Sequence, residues 1–106
     1  MFLSCFHDNA IKITEDFSID KLGDSNVDWL FFKEGEGIIG GIEKVGYNNE
    51  FIIVKAGISE YYIINYKDSK KKYFEKRLLL GPYDKNTFLK KKKEINIEDI
   101  NFSIFR

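Results

Sequence analysis

The sequence is poor in the residues that usually carry chemistry, with one cysteine and one histidine among 106 residues. Cys5 therefore has no partner for an intramolecular disulfide, and one Cys with one His cannot assemble a structural zinc site. His7 falls in the first nine residues, the stretch expected to be least ordered, so neither a Cys–His pair nor a serine with a histidine base is expected. No run of eighteen apolar residues is present, which excludes a spanning helix on hydropathy. Net charge is absent too: seventeen basic residues balance seventeen acidic ones, against the habit of a dedicated nucleic-acid binder.

Other motifs fail on inspection. Gly35, Gly37, Gly40 and Gly41 in "GEGIIGG" are not followed by a helix start, which a phosphate-cradling loop requires. Asp24, Asn26 and Asp28 imitate the opening of a calcium loop, but Trp29 stands where the loop needs glycine, and Gly35 where it needs glutamate. Glu34 and Glu36 flank Gly35 in a polar turn and read as solvated rather than as an acid–base pair. No metal or cofactor is expected, and no catalytic residue is assigned.

What the sequence does hold is material for a single domain over 1–106: a hydrophobic share of 43%, with ten Phe and six Tyr. Residues 10–20 alternate, with Ile11, Ile13, Phe17 and Ile19 on one parity, as in a half-buried antiparallel strand that breaks near Glu15. "KLGDSNV" (21–27) is turn chemistry, and "DWLFFKE" (28–34) a short strand. The next stretch reads as two strands around a turn at 46–49, with Gly40–Gly41 marking a bulge or close crossing in the first arm. "FIIVK" (51–55) suits a central strand, "EYYIINY" (60–66) its antiparallel neighbour, and "YFEKRLLL" (73–80) a further strand stopped by Gly81–Pro82.

Asp84 is then placed to cap a helix over 85–94, anchored by Phe88 and Leu89 and bearing lysines mostly on its wet side. Lys92 flanks the apolar stripe and can lay its stem along it, and cations near the C-terminus suit the helix dipole. Ile100, Phe102 and Ile104 alternate as a closing strand. The expectation is α+β: a twisted antiparallel sheet of about five to seven strands, mostly a meander, with one helix in the C-terminal half packed on it.

The strand "YYIINYKD", the run "LLLGPYDKNTFLKKKKEINI" and the upstream "IEKVGYNNEFIIVK" together resemble a family of small uncharacterised bacterial proteins, many of them lipoprotein-like. The likeness spans roughly residues 36–102 and departs from the family pattern at Asn65, where Asp is commoner. It implies a small sheet with a helix and carries over no catalytic residue. Proteins of this kind often serve as immunity proteins, so the resemblance implies a non-enzymatic inhibitor whose partner is a cognate protein toxin.

Charge distribution suggests how such an inhibitor would act. Residues 1–60 hold eleven acids against five lysines, while residues 61–106 hold six acids against twelve basic residues. An acidic surface suits a basic toxin cleft and speeds encounter. The candidate contacts are Asp24, Asp28, Glu34, Glu36 and Glu43, with Trp29 as an aromatic anchor or, alternatively, a core residue. The two halves instead neutralise each other if their strands interleave.

Two further readings belong to other classes. "FLSC" followed by "HDN" resembles the end of a lipoprotein signal, although the basic start and most of the apolar stretch are missing. Residues 1–9 are then a signal remnant with Cys5 lipidated and the protein an envelope lipoprotein of structural or ligand-binding role; otherwise they are a frayed start and the protein is cytoplasmic. The runs Lys70–Lys72 and Lys90–Lys93, with Tyr61, Tyr62, Tyr66 and Tyr73 nearby, suggest a nucleic-acid-binding module, though neither run contains arginine.

Overall fold

A computed structural model describes residues 10–21, 26–33, 35–69 and 71–106. The chain is α+β, as its patterning requires, but its strands divide between two antiparallel sheets instead of forming one. The first sheet contains β1 (Ile11–Lys12), β2 (Phe17–Lys21), β3 (Asp28–Phe32) and β4 (Glu36–Gly40) in sequential order. The second contains β5 (Ile42–Tyr47), β6 (Phe51–Ala56), β7 (Glu60–Asn65), β8 (Leu79–Tyr83) and β9 (Ile104–Phe105), in the order β8-β7-β6-β5-β9.

Gly41 makes the division. At φ +75° it takes a backbone conformation that side chains disfavour, and it turns the chain from β4 directly into β5. Its N–H donates to the Asp28 carbonyl and its own carbonyl accepts from Gly57, so both sheets hold the crossing point. The expected break in the strand over 11–19 is likewise a corner: β1 folds back on β2, pairing Ile11 with Ile19.

The sheets pack face to face over one core. Phe17, Ile19, Leu30, Phe32 and Ile39 come from the first sheet, and Ile42, Val45, Ile52, Val54 and Ile64 from the second. Alternation places these residues inward, as on the buried face of half-buried strands, with a bulge between Ile42 and Lys44 letting both Ile42 and Val45 face the core. At one end the sandwich is closed by aromatic edges: the Phe17 ring lies 5.2 Å from Phe32 and 6.1 Å from Phe74, the latter at 89°.

The helix α1 (Lys85–Glu94) covers the other face of the second sheet, giving a three-layer molecule. The Asp84 side chain accepts from the Thr87 N–H at 2.7 Å, satisfying a first-turn donor. At the far end Asn96 adopts φ +61°; its N–H donates to the Lys93 carbonyl, and the Ile97 N–H reaches the Lys92 carbonyl at 2.8 Å. These paired bonds form a Schellman stop, and Ile97 is buried beneath it.

Three local expectations change. Leu89 does not anchor the helix but is 48% exposed, because it sits about 100° round the axis from Phe88, and Lys92 takes the inward position one turn on. Gly81–Pro82 does not stop a strand but lies within β8. That strand is an edge, and the pair falls where register shifts between Tyr61 and Ile63, so proline's missing donor breaks no ladder bond. Residues 73–78, expected as strand, are irregular and then a 3-10 turn at Lys76–Leu78, since Phe74 must leave the sheet direction to join the aromatic cluster.

Candidate functional site

The three described acids among those singled out from the sequence, Asp28, Glu36 and Glu43, do not gather on one surface. Asp24 and Glu34 lie outside the described residues. Asp28 is 12% exposed at its side chain and joins the two sheets: its Oδ1 meets Lys21 Nζ at 3.3 Å and Arg106 Nη2 at 3.1 Å. The hydrogen bond from the Arg106 guanidinium holds its carboxyl below the usual carboxylate range, against the opposing effect of burial.

Glu36 sits toward the opposite end of the first sheet, paired with Phe32, whereas Asp28 pairs with Lys21. Its Oε1 accepts from the Phe74 N–H at 2.9 Å, fixing the loop that delivers the Phe74 ring to the core. Glu43 belongs to the second sheet and pairs with Lys55 at 2.8 Å while remaining half-exposed. Asp28 and Glu36 therefore hold tertiary structure, although Glu36, like Glu43, remains exposed.

Trp29 belongs to neither core cluster. It is cross-strand partner to Gly40 and projects on the side opposite the inward Leu30. The indole lies against bare backbone: a Cβ at Gly40 would come within 2.8 Å of its ring, and one at Gly37 within 3.1 Å. The glycines of "GEGIIGG" thus make room for a tryptophan. Sequence reading caught the need for close approach at Gly40 but not the residue approaching.

The lysine run also loses its unity. Lys91 pairs with Glu94 at 3.0 Å, and Lys92 is buried, donating to the Ile100 carbonyl at 2.8 Å. Lys90 and Lys93 remain outward. Four consecutive residues fan out over about 300° of the helix, so they cannot share a face.

Sequence reasoning missed a cleft between the helix and the second sheet. It measures about 250 Å³, floored by Tyr61, Phe88 and Phe102 and rimmed by Lys44, Lys85 and Lys92. Phe88 stacks on Tyr61 at 4.8 Å between centroids, and Lys44 Nζ stands 4.8 Å over the Phe102 ring. The one local signal was Lys44, on the opposite parity from inward Val45. A larger hollow of about 500 Å³ runs along the β1–β2 hairpin, with Lys12, Glu15, Asp16 and Lys33 giving it mixed charge and no convergent chemistry.

No group of three or more His, Cys, Asp or Glu residues able to hold a metal occurs among the described residues, and no helix among them is long and apolar enough to cross a membrane. No family model, curated protein or solved structure matches the chain.

Proposed function

We propose that the protein is a non-enzymatic inhibitor of the immunity type, binding a cognate bacterial toxin and occluding its active site. The observation that supports this reading best is the placement of Trp29. Its indole is partly exposed and held flat on a glycine floor, on a sheet built wholly from the acidic half of the chain. An aromatic fixed before contact loses little conformational freedom on binding, which is the property of interface anchors. Charge would steer encounter, with Glu36 and Glu43 the exposed carboxylates among the described candidates. The resemblance over residues 36–102 supplies the class of partner, and the cytoplasm is the compartment this reading expects. Acylation at Cys5 would instead place the same inhibitor at the envelope.

The test is co-expression with the product of the adjacent reading frame, followed by co-purification and a toxicity assay. The reading expects a complex and rescue of growth, with Trp29→Ala weakening binding by about 2 kcal/mol. Free toxicity in the presence of the folded protein, or a complex indifferent to Trp29→Ala, overturns it.

A further inference from the structure

The cleft beneath the helix combines two features that complement one kind of ligand. Its floor is aromatic, with Phe88 stacked on Tyr61 at 4.8 Å and on Phe102 at 6.2 Å, the latter two ring planes inclined by 24°. Its rim is cationic, carrying Lys44, Lys85 and Lys92, and none of its lining residues is acidic.

Lys92 is the informative member. Burial pushes its ammonium below the ordinary lysine value, while the nearby Glu98 and Asp99 favour the charged form. An ammonium has three donors. One goes to the Ile100 carbonyl, and the ring of Phe88 lies 5.5 Å from the nitrogen. A cation held largely away from water, with donors to spare beside a cleft, gains from an anion more than a solvated lysine would.

Size and charge narrow the class. About 250 Å³ admits a single ring with a short substituent. Glu98 and Asp99 temper Lys92, leaving Lys44 and Lys85 as the excess positive charge, which suits a monoanion better than a polyphosphate. We propose that this cleft is a binding site for a small aromatic carboxylate, its ring lodged against Leu89 and Phe102 and its carboxylate among Lys44, Lys85 and Lys92. The site stands independently of the toxin-blocking reading, since Trp29 and Glu43 are not among its lining residues.

Phenylacetate is a suitable probe, titrated into ¹⁵N-labelled protein and followed by backbone amide shifts. The proposal expects saturable shifts concentrated at Lys44, Phe88, Asn101 and Phe102, with dissociation in the millimolar range normal for so small a ligand. The double variant Lys44→Gln/Lys85→Gln removes rim charge while leaving Phe88 and the Lys92–Ile100 bond in place. It should weaken phenylacetate at least about tenfold, a loss of about 1.4 kcal/mol, with a spectrum otherwise preserved. Benzyl alcohol, which has the ring without the charge, should bind much more weakly. Inorganic phosphate should not compete. Absence of saturable shifts, equal response to benzyl alcohol, full competition by phosphate, or undiminished binding by the folded double variant would each overturn the assignment.

Discussion

Arg106 donates to Asp28 at 3.1 Å, tying the last residue of the chain to the first residue of β3 across 78 positions of sequence. The same carboxylate oxygen is 3.3 Å from Lys21, and the Arg106 N–H donates to the Glu43 carbonyl, so side chain and backbone together fasten β9 to the sandwich. Both side chains are largely enclosed, 12% exposed for Asp28 and 17% for Arg106, which makes this pair worth more than a surface bridge.

Asp28→Asn and Arg106→Gln should each cost about 1–2 kcal/mol, and the double variant should cost less than their sum because one network is removed. The folded pKa of Asp28 is depressed, so its contribution is complete above the ordinary carboxylate value of 3.8 and is lost as pH falls through the lower folded value. Denaturant titrations at neutral and strongly acidic pH measure this. Additive losses, or a wild-type-to-Asn difference that persists unchanged in acid, contradict the role.

Tyr66 governs the opposite pH limit. Its hydroxyl donates to the Asn48 carbonyl in the β5–β6 turn, and burial, the larger cause, raises the phenol above its ordinary value of 10.0. A raised folded pKa means the stabilisation is present below 10.0 and disappears as pH rises through the folded value. Tyr66→Phe should cost about 1 kcal/mol at neutral pH and make alkaline unfolding less steep. Thermal melts at pH 7 and above pH 10 provide the check, and an alkaline profile identical to wild type counts against it.

These two contacts show what was legible in the sequence. Asp84 and Phe88 mark the helix from nearby sequence, because a cap and apolar spacing act locally. β6 and β7 were equally plain as apolar runs separated by a short turn. Asp28 looks like a free surface acid in the sequence because the partner that most lowers its pKa, Arg106, is 78 positions away. Gly40–Gly41 reads as a bulge or a close crossing, but nothing nearby in sequence announces that β4 and β5 belong to different layers. Spacing sets Lys92 beside the apolar stripe, but the carbonyl that holds it inward comes from Ile100 beyond the helix. The charge asymmetry resolves both ways: the first sheet is all acidic-half chain, whereas the second interleaves β5 and β6 with strands from the basic half.

Gly46 tests the closeness of that interleaving. It is buried in β5, and the backbone of 101–102 passes so near that an added Cβ would fall 2.8 Å from the Asn101 carbonyl carbon. The neighbour is backbone, held by the Ser103 N–H bond to the Val45 carbonyl at 2.8 Å, and cannot swing aside like a side chain. Gly46→Ala should destabilise by about 1–3 kcal/mol and loosen the closing segment, seen as faster amide exchange at Ser103 and Arg106. Gly57→Ala has open space around its Cβ position but a left-handed φ of +59°, so its penalty would arise from backbone strain without disturbing those two amides.

Phe88 and Leu89 are adjacent, similarly apolar and opposite in consequence. Phe88 is 2% exposed and stacks between Tyr61 and Phe102, while Leu89 is 48% exposed at the mouth of the cleft. Phe88→Ala should cost about 3–5 kcal/mol, combining lost transfer energy with a cavity the rigid sheet cannot close. Leu89→Ala should cost at most about 1 kcal/mol, since about half of its surface stays in water after folding. Equilibrium denaturation of the two variants distinguishes them directly. Comparable losses would mean that the helix packs with Leu89 turned inward, rotated from the orientation in which Lys92 reaches Ile100.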